Sequence, residues 1–263
     1  MHLATPADVL KGFFPVSTKT YWYFSAYTGL FFLRPFLNIV VDTISKTDIK
    51  KYAFVLFVVF STGGGIIGRN ADSFALRNGY SVLWIVLLYL LGASLKKIEF
   101  EQKAPTARLV LVAVVSYAIT LFSVSVLPIV VKEILHINIP RGILWSYLSP
   151  TILLMAICTL LLFAKLKVSN EKRGRWISKL AVGAFGVYLI HSNPVFDRIV
   201  LENRFASVGN QPVWIMLPAV VAIALVVFAF CLTVEEGRIM LFKKLKIEQM
   251  TKRLVQFIRR ERD

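Results

Sequence analysis

Seven apolar stretches recur along the chain, and no other feature restricts its fold as much. They cover residues 21–41, 52–68, 80–95, 109–131, 144–164, 176–191 and 212–234. A helix needs about 20 mostly apolar residues, range about 17–25, to cross a bilayer. The third and sixth stretches are short by that measure, and the first carries Arg34 and Pro35. A lone strand would leave its N–H and C=O groups unpaired in lipid, so each stretch is expected to be a helix. The expected fold is all-α, a polytopic membrane protein with about seven transmembrane helices. A membrane domain over residues 1–234 would then precede a basic amphipathic tail over residues 235–263.

Composition agrees with this. The 263 residues are 57% hydrophobic, with a mean hydropathy of +0.67, whereas soluble domains are about 45–50% apolar. In a soluble protein a net charge of +16 would suggest nucleic acid. Here the basic residues lie between and after apolar runs, which points to lipid head groups and excludes a nucleic-acid partner. Cys158 and Cys231 sit inside apolar runs, with no CxxC and no Cys/His metal spacing. They read as small packing residues, and no metal is expected.

Lysine and arginine set the orientation. Of the 31, 22 fall in residues 42–51, 96–108, 165–179 and the tail. Eight fall in the alternate segments: Lys11 and Lys19, Arg69 and Arg77, Lys132 and Arg141, Arg198 and Arg204. The last is Arg34. This alternation implies a multi-pass protein of the cell membrane with a cytoplasmic C-terminus and an extracytoplasmic N-terminus. The opening "MHLATPADVLKGFFPVSTKT" lacks the charged start, apolar core and cleavage site of a signal peptide. An outward N-terminus without one is explained by an odd number of helices upstream, or by an unaided seven-helix protein. In the tail, Phe242, Leu245, Leu254, Phe257 and Ile258 can share one helical face against an anionic inner leaflet. A solvated basic tail that only fixes topology is the other reading.

No HExxH, P-loop, GxSxG or GxGxxG occurs. "STGGGIIG" (61–68) lies in an apolar run, and its Gly64-x-x-x-Gly68 spacing reads as close helix packing. Gly183 and Gly186 read the same way. "GVYLIHSNP" (186–194) ends an apolar run at His191. One reading is a polar cap at the outer end of the sixth helix, with Ser192 and Asn193 solvating it and Pro194 ending it. The other is an imidazole lining an outward-facing cavity, suited to proton transfer. "YWYFSAYTGLFFLRPFLN" (21–38) opens on three aromatics, Tyr21, Trp22 and Tyr23, as an interfacial belt does, and Tyr27 lies near the face of Tyr23. Arg34 in lipid costs at least about 2.5–3.5 kcal/mol unless paired or hydrated. It either snorkels to the inner surface or meets an anionic group there.

These two stretches resemble motifs of the acyltransferase 3 family of membrane acyltransferases, which includes bacterial polysaccharide O-acetyltransferases. Trp22-x-x-x-x-Tyr27 followed by Pro35-Phe36-Leu37-Asn38 is similar to a stretch midway along that family. Tyr188-Leu189-Ile190-His191 is similar to its Tyr-Leu-x-His signature near the late helices. The resemblance implies about ten helices in the whole fold, so about three would precede this chain, including the one that bears the family's presumed catalytic histidine. It also implies transfer of an acyl group, usually from acetyl-CoA, to a hydroxyl of a cell-surface glycan. On that footing His191, Tyr188 and Asn193 line the acceptor side, with His191 the catalytic candidate. Trp22 and Tyr27 would stack on sugar, and Arg34 would contact a coenzyme phosphate. A transporter or flippase for a polar or lipid-linked substrate, and a non-catalytic membrane remnant, are the other readings these features admit.

Overall fold

The structure, a computed structural model, describes residues 21–67, 71–72, 74–139, 142–247, 249–251, 253 and 256. Among them there is no strand, and a helix stands at each of the seven apolar stretches. These are α1 (Trp22–Thr43), α2 (Lys46–Leu56) continuing as a π-helix over Phe57–Ile67, α3 (Val82–Lys97) and α4 (Thr106–Ser125). They are followed by α5 (Pro150–Ala164), α6 (Glu171–His191) and α7 (Val213–Lys244). Four are long and apolar enough to cross a membrane: α1, Lys46–Ile67, α4 and α7. The protein is an all-α polytopic membrane protein.

The other three fall short of that measure for local reasons. α3 has 16 residues and ends on Lys96 and Lys97. α5 starts only at Pro150, because the preceding residues form turns, so the helix is shorter than the apolar run at 144–164. α6 has 21 residues, but its first turns carry Glu171, Lys172, Arg173 and Arg175. The fourth stretch also divides: α4 stops at Ser125 and a separate helix, Leu127–Leu135, follows with Pro128 in its first turn. Proline has no N–H to donate, and the first turn of a helix is where that costs least.

Exposed surface is largely apolar. Phe31, Phe32, Phe36 and Ile39 on α1, and Leu225 and Val226 on α7, are all more than half exposed. α7 buries only Cys231 and Glu235. Apolar area left in water costs about 25 cal/mol per Å², and lipid removes that cost. Helix contacts must then be held by close packing and hydrogen bonds.

The described residues divide into two compact units, Trp22–Lys167 and Tyr21 with the residues from Val168 onward. In the first, Leu76, Trp84, Leu87, Leu91, Leu148 and Leu153 form a buried cluster. Leu109 of α4 packs with Cys158 and Leu161 of α5, and the buried Thr120 and Thr151 hydroxyls lie 2.7 Å apart between those helices. The glycine-rich run serves close packing: a Cβ at Gly65 would lie 2.7 Å from the Leu148 carbonyl oxygen, to which Ser61 also donates its hydroxyl. Gly68 lies outside the described residues. Since the obstacle is backbone, Gly65→Ala is expected to cost about 1–3 kcal/mol, read as a lower unfolding temperature of the purified protein in detergent.

This unit has two chemically different ends. At one, Lys97 Nζ donates to the carbonyls of Val41, Asp42 and Ile44 at 2.6, 2.9 and 2.6 Å, capping the C-terminus of α1. Lys46 pairs with Glu99 there, and Lys165 donates to the Ala104 carbonyl. The N-termini of α1, α3 and α5 lie at the other end, each beside an aromatic residue: Trp22, Tyr80 and Tyr147.

In the second unit α6 packs on α7 through its glycines. A Cβ at Gly183 would lie 2.5 Å from Leu232 Cδ1, and Gly186 faces Glu235. The buried Glu235 carboxylate receives Arg238 Nε at 2.7 Å and Nη2 at 2.6 Å, while Lys179 pairs with Glu236. α7 runs unbroken past residue 234 and ends at Lys244. Lys246 then adopts a left-handed conformation, φ 53°. Phe242 lies on α7 and Leu245 directly follows it. Leu254, Phe257 and Ile258 lie outside the described residues.

Candidate functional site

His191 is the last residue of α6. Ser192 caps the helix, and Asn193 opens a new turn by accepting the Val195 N–H at 2.9 Å, with Pro194 at its first position. The amide of Asn193 donates to the Tyr21 hydroxyl at 2.8 Å, and Tyr21 is buried. Tyr188 meets Tyr21 edge-on at 6.3 Å and His191 at 6.0 Å between ring centres. The structure thus gathers Tyr188, His191 and Asn193 at one helix end and adds Tyr21.

His191 is anchored through one ring nitrogen. Its Nδ1 lies 2.8 Å from the Val187 carbonyl oxygen. A carbonyl only accepts, so Nδ1 donates to it, and in the neutral ring Nε2 is then the acceptor. The Ser192 hydroxyl is 3.4 Å from Nε2. The imidazole borders a cleft of about 520 Å³ walled by α6, α7 and the segment 201–209. Among the described residues lining it, His191 alone is polar; Val187, Leu201, Phe205, Val220 and Phe228 are typical of the rest. An oriented imidazole beside a cleft is the arrangement that proton transfer requires. The capping geometry expected at this helix end is present as well.

Trp22, Tyr27 and Arg34 lie in the other unit, and the structure separates Trp22 from the other two. Tyr27 stacks on Tyr23 at 6.3 Å. With Arg34 it lines a cavity of about 700 Å³ that Tyr89, Lys96 and Glu101 also border. Arg34 is exposed on the surface of α1, and its contribution to this cavity is a cation close to the lysine-rich end. A guanidinium and an ammonium bordering one cavity suit an anionic ligand, with Glu101 opposing part of that field. Among the described residues, no three His, Cys, Asp or Glu side chains gather closely enough to hold a metal ion.

Trp22 instead packs into an aromatic cluster. Its ring meets Tyr80 at 4.6 Å and Tyr147 at 6.3 Å, and Tyr80 meets Tyr147 at 5.3 Å. Asn78, Tyr80, Trp145, Ser146 and Tyr147 line a cavity of about 400 Å³. Sequence reasoning missed Tyr80, Trp145 and Tyr147. Their signal was available: each precedes a helix expected to enter the membrane from the same side as α1.

Residues 2–236 match the acyltransferase 3 family, described as an acyltransferase domain. The chain belongs to that family. It is a membrane acyltransferase, and the match includes all six sites singled out above. No curated protein and no solved structure matches the chain.

Proposed function

We propose that this acyltransferase moves an acetyl group from acetyl-CoA to a hydroxyl of a sugar in a bacterial cell-surface polysaccharide, with His191 as the base. The observation that carries this reading is the imidazole anchored through Nδ1 at the edge of a cleft, with the Ser192 hydroxyl 3.4 Å from Nε2. A sugar hydroxyl is a weak nucleophile. In the proposed step His191 Nε2 takes its proton as the oxygen attacks the thioester carbonyl carbon. The carbon–sulfur bond then breaks, and coenzyme A leaves as a thiolate that takes up a proton. Tyr188 and Asn193 hold the histidine's surroundings in register through Tyr21.

The donor is assigned to the lysine-rich end, which faces the cytoplasm in the orientation that the basic residues favour. Arg34 and Lys96 would hold phosphates of the coenzyme, and Tyr27 lines the same cavity. The basic residues after α7 would lie against the anionic inner leaflet. Arg34→Met is expected to raise the KM for acetyl-CoA roughly tenfold, the loss of one charge-assisted contact, while kcat holds. The test of the whole reading is the O-acetyl content of surface polysaccharide in cells with and without the gene. Equal acetyl content with impaired export of the glycan would instead support a transporter.

A further inference from the structure

We infer that the aromatic end of the Trp22–Lys167 unit holds one sugar ring of the acceptor glycan, in the cavity lined by Asn78, Tyr80, Trp145, Ser146 and Tyr147. This names the acceptor's subsite and rests on the reading that the acceptor is a sugar.

The rings are not core. Tyr80, Trp145 and Tyr147 are 47%, 64% and 51% exposed, and the neighbouring core cluster closes without them. They are brought together from two distant segments, and Trp22 from a third packs edge-on to Tyr80 and tilted against Tyr147. Rings of an interfacial belt lie at head-group depth against lipid; these share a cavity with an amide and a hydroxyl. A sugar ring presents apolar C–H faces and hydroxyl edges. The faces match the aromatic walls, and the edges match Asn78 and Ser146, each able to donate and accept.

Size and position agree. Ligand pockets run about 300–1,000 Å³, and about 400 Å³ suits one ring rather than a nucleotide-bearing coenzyme. The cavity is at the opposite end of the unit from the lysines assigned to the donor. Its rim is also built at a conformational cost. Arg77, Asn78 and Gly79 are consecutive residues at positive φ, an arrangement usually retained where the surroundings impose it.

The test uses the full chain purified in detergent. The probe is oligosaccharide cut from the cells' own surface polysaccharide after mild alkali has removed its ester groups, with binding read by calorimetry. Trp145→Ala and Tyr80→Ala are expected to weaken binding roughly tenfold or more, with Ser146→Ala weakening it less. Unfolding temperature should be unchanged for Trp145→Ala, whose ring is the most exposed of the three. Failure of the wild-type chain to bind, or binding within about twofold of wild type in both ring variants, overturns the subsite and leaves the rings as a membrane girdle. The outcomes separate from those for acyl transfer. Binding that the variants abolish, in cells whose glycan acetylation is independent of the gene, keeps the subsite and removes the transfer reading. Acetylation that depends on the gene, with binding insensitive to both rings, does the reverse.

Discussion

Cells carrying His191→Ala at the native gene are expected to lose acetylation of their surface glycan, with a transfer rate about 10²–10⁴-fold lower. The size of the effect follows from the role. Nδ1 donates to the Val187 carbonyl, which orients the ring, and in the neutral imidazole Nε2 is the nitrogen that takes a proton. Stability should change little, since the substitution removes one hydrogen bond worth about 1 kcal/mol from a half-buried side chain. His191→Asn separates chemistry from structure. Its amide can still donate to the Val187 carbonyl, but it cannot act as a base near neutral pH. The protein should therefore remain folded and the glycan unacetylated. Restored transfer in His191→Asn would assign the histidine to capping alone.

Gly79→Ala is expected to cost about 3 kcal/mol or more, the sum of a strained backbone and an overfilled contact. Gly79 has φ +95°, a conformation that side-chain-bearing residues rarely adopt. An added Cβ would also lie 2.5 Å from the Tyr147 Cβ and 3.4 Å from the buried Trp84 ring. The glycine lets the turn before α3 lie against the turn before α5. Thermal unfolding in detergent should show a drop of several degrees. Oligosaccharide binding should weaken in the fraction that stays folded, because Tyr80 and Tyr147 flank the displaced contact. An unfolding temperature within experimental error of wild type would contradict this packing.

The helices were readable because hydropathy and the need to pair backbone groups in lipid both act within one segment. Their ends were less so. α5 was expected from Leu144, since Leu144, Trp145, Tyr147 and Leu148 all count as apolar. The chain instead turns through Gly142 and Ser149, and the helix begins with Pro150. Hydropathy does not distinguish a tryptophan facing lipid from one facing a cavity. The sixth apolar stretch begins at Trp176, after the charged segment 171–175. Asn170 nevertheless caps the N–H groups of Lys172 and Arg173, and the helix starts five residues earlier, at Glu171. Around His191, the run through Pro194 made the helix end visible, but Tyr21 is 172 residues from Asn193 and no local pattern links them. Trp22, Tyr80 and Tyr147 were hidden for the same reason: their contacts join segments far apart in the chain.

The account depends most on sidedness, with donor chemistry at the lysine-rich end and sugar at the aromatic end. Single cysteines at Asn78 and Lys103, with Cys158 and Cys231 buried and therefore shielded, can be treated in intact cells with a maleimide that does not cross membranes. The account predicts that Asn78→Cys is labelled at once and Lys103→Cys only after the cells are opened. Labelling of Lys103→Cys in intact cells while Asn78→Cys stays unmodified would place the sugar cavity on the wrong side of the membrane and contradict the account.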